Sequence, residues 1–208
     1  MARDDKRETQ EQLRNISELP FPETEALPED LKKYMSVCED KLGFIPNVIK
    51  AFSLRPEKLR TFISKYNELM LTDDSTLTRL EREMIAVVVS SYNHCVYCIT
   101  SHSQAVREYS DDPVLADILV TNYSTAELTS RQKAMLDYAW NMTANVAKTG
   151  DEERENLINA GFTPEEIFDI NDVVAYFNYT NRMTHGLGIK PNKNYFSMNR
   201  LNEDTNTD

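Results

Sequence analysis

Glycine and proline are scarce in this sequence of 208 residues, which has 5 and 8 of them. These are too few for a glycine-rich nucleotide-binding loop, a collagen-like repeat or a β-sandwich with many turns. The sequence also lacks any apolar stretch near the roughly 20 residues that a membrane span needs, and it begins with charged residues where a signal peptide would be apolar. We therefore expect a soluble, cytoplasmic protein with no membrane partner.

Positive charge is also in short supply. The sequence has 23 Lys and Arg residues against 34 Asp and Glu residues, a net charge of −11, and no local basic patch. Such a surface repels a phosphate backbone, which argues against nucleic acid as a partner. The three cysteines are an odd number, so an even disulfide framework is excluded, in keeping with a reducing compartment.

Helical periodicity dominates the chain, and no convincing alternating strand pattern competes with it, so the predicted fold class is all-α. Residues 1–18 and 201–208 are polar and charged, and we expect them to be mobile tails around a single domain at 19–200. Thr163 and Glu166 form a capping-box pattern where the last long helix begins. Predicted helices cover 29–42, 57–71, 78–92, 95–109, 113–120, 130–148, 152–160 and 164–185. Pro46 opens a further predicted helix between the first two.

Cys95, Cys98 and His102 carry the one pattern with evident chemistry, C-x-x-C-x-x-x-H. On a helix at about 100° per residue, the three side chains fall within an arc of roughly 60° and so share a face. We expect Asn93 to cap this helix, which puts both cysteines in its first turn, where free amides and the helix dipole favour a thiolate. Two thiols at this spacing can also form a disulfide. The pattern therefore predicts redox chemistry that needs no metal or organic cofactor.

Glu83 is a candidate buried acid, because it lies on the apolar stripe of a helical segment that continues through the six apolar residues 84–89. The polar residues 90–94 permit the chain to reverse, which gives an antiparallel helix pair that carries the C-x-x-C site. Glu83 lies ten residues before Asn93 and His102 nine residues after it, so the two reach nearly the same level. We expect Glu83 to contact His102 and not the cysteines, and to orient an imidazole that takes a proton from a thiol, directly or through a water.

This spacing resembles a known active-site pattern. It is similar to the pattern of the alkylhydroperoxidase AhpD-like branch of the carboxymuconolactone decarboxylase superfamily. In this sequence, eleven residues separate Glu83 from Cys95, two separate Cys95 from Cys98, and three separate Cys98 from His102. The wider chain, over residues 20–198, resembles the subgroup of peroxidase-related enzymes in three segments, 41–48, 80–89 and 176–182.

The resemblance implies an all-α, AhpD-like fold, assembly into dimers, trimers or hexamers, and a cysteine-based peroxidase. It implies that Cys98 is the peroxidatic thiol, Cys95 the resolving thiol, and Glu83 with His102 a proton relay. One position departs from the pattern: AhpD peroxidases have a second histidine just before the later cysteine, and here that residue is Tyr97. A phenol, with a reference pKa of about 10, is a poor proton shuttle at neutral pH, so we expect a modest rate with peroxide or a different oxidant.

The sequence therefore predicts a thiol-dependent hydroperoxide reductase, whose partners are a hydroperoxide substrate and an external dithiol reductant and which uses no cofactor. A thiol–disulfide oxidoreductase acting on protein or small disulfides uses the same residues and stays open. So does a zinc-held helical interaction module, since two thiolates, an imidazole and a carboxylate make a tetrahedral ligand set. Lactone decarboxylation is less favoured, because that reaction needs no C-x-x-C pair.

Other residues have simpler interpretations. Cys38 lies on the apolar stripe of the first helix and is predicted to be a core residue. His94, beside the turn, is predicted to face solvent, and His185 is predicted to interact with the dipole at the end of the last long helix. For Glu83 we favour the relay over a plain ion pair with Arg82 or Arg79, since Arg82 is adjacent in sequence and points elsewhere.

The last long helix carries apolar and aromatic residues on more than one face, including Phe168, Phe177 and Tyr179. The core of a single chain takes one stripe, so the remainder needs another cover unless this helix is central. We predict a homo-oligomer in which residues 190–198 form an arm over a neighbour. The apolar anchors of this arm are Tyr195, Phe196 and Met198.

Overall fold

The computed structural model describes residues 16–200, and most of this part of the chain is helical. No strand occurs in this part, so the predicted all-α fold is confirmed. Its α-helices are α1 Glu29–Leu42, α2 Asn47–Phe52, α3 Pro56–Tyr66, α4 Arg79–Tyr92, α5 Val96–Ser110, α6 Pro113–Asn122, α7 Ser130–Ala144, α8 Asp151–Asn159 and α9 Pro164–Gly186. Short 3-10 turns cover Thr24–Ala26, Tyr123–Thr125 and Lys193–Phe196, and a π-helical turn covers Asn67–Leu71.

Local sequence signals set several helix ends. The Thr163 hydroxyl accepts a hydrogen bond from the Glu166 amide, and the Glu166 carboxylate accepts one from the Thr163 amide, which forms the predicted capping box of α9. Thr78 and Glu81 make the same reciprocal pair at the start of α4. Gly43 ends α1 with a φ of 79°, a left-handed conformation that glycine adopts without steric cost.

Helix α4 lies at the centre of the fold. Every residue from Met84 to Val89 is 0 % exposed, and the helix packs against α5, α6, α7 and α9. A helix that is apolar on all sides needs cover on all sides. The six-residue apolar run therefore belongs to the central helix, and the burial extends to the side chain of Glu83 just before it.

Two predicted helices are shorter in the structure. The segment 57–71 is α-helical only to Tyr66 and continues as the π-helical turn Asn67–Leu71. The segment 130–148 is helical only to Ala144, and Val146, which periodicity placed on the apolar face, is 63 % exposed. Val146 thus fits the helical spacing of apolar residues although it lies in the loop after the helix ends.

The N-terminal end of the described chain packs on the helices. The Ser17 hydroxyl and the Glu18 amide both donate to the carbonyl of Leu187, and Ser17 is buried. The folded part therefore includes residues 16–18, which the sequence assigned to the tail. The remaining tail residues, 1–15 and 201–208, lie outside the described part of the chain.

The segment predicted as an arm packs on its own chain. The Tyr195 ring is 5 % exposed and meets Phe44 edge to face, with 5.1 Å between ring centroids. Arg107 of α5 donates to the carbonyls of Tyr195, at 3.1 Å, and Met198, at 2.9 Å. Tyr195 is thus an anchor within the chain and not on a neighbour, whereas Phe196 stays 49 % exposed.

We expect Tyr195→Ala to lower the free energy of unfolding by about 3 kcal/mol, because it removes a buried aromatic ring and leaves a cavity. Phe196→Ala at the next position removes a half-exposed ring and is expected to cost less than about 0.5 kcal/mol. Urea unfolding followed by circular dichroism measures both values. Equal losses in the two variants would show that burial of Tyr195 is not what holds this segment.

Helix α9 keeps part of its apolar surface uncovered. Phe168 and Tyr179 are 71 % and 50 % exposed, whereas Val174 and Phe177 are buried against the core. The homo-oligomer inferred from this helix stays a prediction. Among residues 16–200, no helix combines the length and the apolar composition that a bilayer crossing requires.

Candidate active site

The chain reverses between α4 and α5, which pack side by side. His94 takes a left-handed φ of 52° in the turn, and the Cys95 amide donates to the Ser90 carbonyl at 2.9 Å. Asn93 ends α4, and Cys95 occupies the N-cap position of α5, so the prediction that Asn93 caps α5 is wrong. Cys98 nevertheless lies in the first turn of α5, close to the free amides of its N-terminus.

Glu83 and His102 meet across the two helices. Glu83 Oε2 lies 2.6 Å from His102 Nδ1. The other carboxylate oxygen, Oε1, accepts a hydrogen bond from Nε of Arg79 at 3.0 Å, and Nη2 of the same guanidinium lies 3.0 Å from it in an ion pair. The contact with His102 and the ion pair with Arg79 were treated as alternatives, but they coexist because each engages a different oxygen.

This arrangement favours one tautomer of a neutral His102. Because a carboxylate accepts hydrogen bonds, the neutral imidazole that faces it carries its proton on Nδ1 and its lone pair on Nε2. The ring of Phe177 packs edge to face on the imidazole, with 4.6 Å between centroids, and holds its orientation. His102 is buried, so Nε2 is a base in a sheltered site with a carboxylate behind it.

Both cysteines of the motif are free thiols, and they are 1 % and 4 % exposed for Cys95 and Cys98. The Cys98 sulfur lies 3.9 Å from the Thr184 hydroxyl of α9. A hydrogen bond from the Cys98 thiol lowers the pKa of Cys95 to about 7, and the Cys98 amide and the imidazole of His185 add to the effect. The same bond, together with burial, raises the pKa of the Cys98 thiol. In the reduced pair, these effects favour the thiolate on Cys95.

The pKa effects favour Cys95 as the thiolate, but access from the cavity favours Cys98. A cavity of about 560 Å³ lies beside α5, and its wall includes Cys98 and His102 but not Cys95. A molecule inside the cavity therefore meets the Cys98 sulfur first. The aromatic residues of the wall include Phe62, Tyr66, Tyr97, Tyr176, Phe177 and Tyr195, and aliphatic side chains provide much of the rest.

Tyr97, at the position of the second histidine, has a structural role. Its hydroxyl accepts a hydrogen bond from the Val48 amide at 3.2 Å, and the side chain is buried. Burial holds the pKa of its phenol well above the usual range. The phenol therefore keeps its proton at neutral pH and shuttles none.

Three residues outside the motif have mixed outcomes. Cys38 is half-buried on the wall of the cavity, so its prediction as a core residue is wrong: the stripe of α1 that carries it faces the cavity. His94 is exposed, as predicted. His185 lies in the last turn of α9, but its Nε2 is 3.1 Å from the carbonyl oxygen of Asn93, so it contacts the turn before Cys95.

Two residues of α9 that the sequence analysis did not select also reach the site. Thr184 contacts Cys98, and the fully buried Asn181 donates to the Ser90 hydroxyl and accepts from the Asn93 side chain, both at 3.0 Å. The available signal for Asn181 was its place on the otherwise apolar face of α9. Thr184 gave no such signal.

The described residues include no group of three or more His, Cys, Asp and Glu side chains placed to hold a metal ion. Glu83, one of the four ligands considered for zinc, is bound on both oxygens by Arg79 and His102. Within residues 16–200 the zinc-held module therefore has no donor set.

Comparison with known proteins identifies the family. The model of the carboxymuconolactone decarboxylase family matches residues 57–139. The alkylhydroperoxidase AhpD core of an uncharacterized peroxidase-related protein from Ralstonia eutropha JMP134 is 39 % identical, covers 89 % of this chain and 97 % of its own, and has a TM-score of 0.86. An uncharacterized peroxidase-related protein from Silicibacter sp. TM1040 is 45 % identical over 88 % and 96 % of the two chains, with a TM-score of 0.84. The chain belongs to the AhpD-like branch of the carboxymuconolactone decarboxylase superfamily, as its motif predicted.

A more distant structure shares the fold alone. The debrominase Bmp8 is 17 % identical to this chain, over 88 % of this chain and 95 % of its own, with a TM-score of 0.72. A common fold does not select a reaction. The chemistry of this chain therefore has to be argued from the side chains of its own site.

The pKa of Cys95 gives a prediction for the reduced protein. Thiolate absorbance in the ultraviolet is expected to appear with a midpoint near pH 7 and to disappear as the pH falls through that value. Burial raises the pKa of the Cys38 thiol, which keeps its titration apart. Cys98→Ala removes the largest cause of the Cys95 shift and is expected to raise the midpoint towards the ordinary value of about 8.5. An unchanged midpoint in that variant would contradict the hydrogen bond between the two sulfurs.

Proposed function

We propose that the protein is a thiol-dependent hydroperoxide reductase in which Cys98 attacks the peroxide, Cys95 resolves the product, and Glu83 with His102 relays the proton. The observation that carries this proposal is the common placement of Cys98 and His102 on one cavity wall, with Glu83 holding the imidazole at 2.6 Å. The peroxidase-related relatives at 39 % and 45 % identity support the same class of activity.

In the first step, the Cys98 proton passes to Nε2 of His102, directly or through one water, and the thiolate attacks the outer oxygen of the hydroperoxide. An S–O bond forms and the O–O bond breaks, so Cys98 becomes a sulfenic acid. The departing alkoxide takes the proton from His102 and becomes an alcohol. Glu83 stabilises the imidazolium that exists between the two transfers.

In the second step, the Cys95 thiolate attacks the sulfur of the Cys98 sulfenic acid. An S–S bond forms, the S–O bond breaks, and the hydroxide that departs takes a proton from solvent to become water. Cys95 suits this step because the backbone amide of Cys98 and the imidazole of His185 favour its thiolate, and neither depends on the oxidation state of the Cys98 sulfur. An external dithiol then reduces the disulfide and is itself oxidised.

The cavity favours a hydroperoxide with an organic group. Its volume of about 560 Å³ is far larger than hydrogen peroxide requires, and its wall is mostly aromatic and apolar. Apolar surface that enters such a cavity leaves water with a gain of about 25 cal/mol per Å². Cumene hydroperoxide, whose phenyl ring can use this wall, is therefore a suitable test substrate.

Thiol counting tests the proposal. One equivalent of cumene hydroperoxide is added to the reduced protein, and thiols are counted after denaturation. Because the chain has 3 cysteines, we expect the count to fall from three to one, with Cys38 as the remaining thiol in peptide mapping. A count that stays at three, or a disulfide that includes Cys38, would contradict the assignment of the redox pair.

A thiol–disulfide oxidoreductase is the second candidate, and the observation that favours it is Tyr97 in the place of a second histidine. The same thiol count with oxidised glutathione in place of the hydroperoxide separates the two functions. Faster oxidation of the pair by the disulfide would select this candidate. Large protein disulfides are disfavoured as substrates, because both sulfurs of the pair are nearly inaccessible from the surface.

A further inference from the structure

The two sulfurs of the reduced pair compete for one negative charge. The neighbouring Cys98 lowers the pKa of Cys95, whereas Cys95 and burial raise the pKa of Cys98, so these effects favour the charge on Cys95. The cysteine of the pair that lines the cavity is Cys98. The proposed reaction therefore needs a group that stabilises the Cys98 thiolate when its proton leaves.

Helix α9 places a hydroxyl opposite Cys98. The Thr184 hydroxyl oxygen lies 3.9 Å from the Cys98 sulfur, within hydrogen-bond range for a sulfur atom, and Thr184 is 3 % exposed. Two other threonine hydroxyls near the site are already bound: that of Thr180 to the Phe177 carbonyl and that of Thr100 to carbonyls of α5. The Thr184 hydroxyl, by contrast, has the Cys98 sulfur as the hydrogen-bond partner that the structure shows.

Asn181 holds this part of α9 in register with the cysteine turn. It lies three residues before Thr184, hence on the same face of the helix. Its amide nitrogen donates to the Ser90 hydroxyl at the end of α4, and its amide oxygen accepts from Asn93 in the turn. Both contacts are side chain to side chain, and Ser90 and Asn181 are 0 % exposed, so α9 and the turn before Cys95 are fixed to each other.

We propose that Thr184 is a catalytic residue that donates a hydrogen bond to the Cys98 sulfur and stabilises the thiolate with which Cys98 attacks, with Asn181 as the positioning residue that holds Thr184 there. Both side chains lower the pKa of the Cys98 thiol, against the larger raising effects of Cys95 and burial. Hydrogen bonds to the charged form of a group favour that form. The proposal rests on the proposed function, because it concerns the attacking thiolate of that reaction.

Competitive labelling of the two cysteines tests this role. Reduced full-length protein is treated with a limiting amount of iodoacetamide at neutral pH, and fragment-ion mass spectrometry gives the ratio of label on Cys98 to label on Cys95. In the wild type we expect most of the label on Cys98, because the reagent can reach this residue through the cavity, whose wall does not include Cys95. In Thr184→Val, which keeps the side-chain shape but lacks the hydroxyl, we expect the ratio to fall by about threefold or more.

Conservative variants separate the hydroxyl from packing. Thr184→Ser is expected to keep the wild-type labelling ratio, and Thr184→Ala is expected to lower it. Serine and alanine differ only by the hydroxyl, so this comparison tests the hydroxyl even if Thr184→Val perturbs folding. Thr100→Val removes a buried hydroxyl from α5 itself and is expected to leave the ratio unchanged. A ratio that is equal in Thr184→Ser and Thr184→Ala would overturn the proposal. Since no peroxide is used, a protein without peroxidase activity would refute the proposed function and leave this result standing.

Discussion

Cys98→Ser is expected to lower kcat/KM for cumene hydroperoxide by about 10³-fold or more. A serine hydroxyl is not ionised at neutral pH and forms no equivalent of a sulfenic acid, so the variant loses the attacking group itself. The measurement is hydroperoxide consumption in the presence of dithiothreitol. Because removal of the nucleophile leaves the cavity intact, the loss should appear in kcat more than in KM.

Two further cysteine variants frame this result. Cys95→Ser retains the attacking sulfur but not its partner, so we expect one rapid turnover and a Cys98 sulfenic acid that dimedone traps. Cys38→Ser serves as the matched control. It removes a thiol that lies on the same cavity wall but takes no part in the proposed reaction. Activity above a tenth of the wild type in Cys98→Ser would exclude Cys98 as the attacking group.

Glu83→Gln is expected to lower kcat/KM for the same substrate by about 10²-fold, the usual scale for loss of proton-transfer assistance. Glutamine nearly keeps the volume of the side chain but removes the negative charge that faces His102 and Arg79. The imidazolium that forms during proton transfer then lacks its counter-charge. The effect should fall on the hydroperoxide reaction, while the thiol count of the reduced protein stays the same.

Glu81→Gln is the matched control for this variant. Glu81 lies on the same helix, is also buried, and is paired with an arginine, Arg131, but its carboxylate caps α4 and does not face the cysteines. We expect Glu81→Gln to lower stability and to retain most of the activity. Equal losses of activity in the two variants would mean that Glu83 acts by supporting the fold.

The sequence was informative where structure is decided locally. Capping signals such as Thr163 with Glu166 identify helix starts because the partners lie within one turn. The Glu83–His102 contact was also predictable, since a single turn between two helices converts sequence distance into height along a helix pair.

The sequence could not show contacts made by α9, because Thr184 lies 86 residues from Cys98 along the chain and nothing local relates the two. The same holds for Tyr195, whose apolar ring indicates burial but not whether its own chain or a neighbour covers it. Cys38 was misassigned for a related reason: a stripe of apolar residues that faces a cavity has the same period as one that faces the core.

The contrast between an accessible Cys98 and an acidified Cys95 also decides how the disulfide reopens. An incoming thiolate reaches the bond through the cavity and therefore attacks the Cys98 sulfur. Cys95 is then the leaving group, and its place at the N-cap of α5 puts the departing thiolate at the positive end of the helix dipole. Attack on the other sulfur would require the reductant to reach Cys95, which does not line the cavity. In the proposed reaction we therefore expect the mixed disulfide with the reductant to form on Cys98.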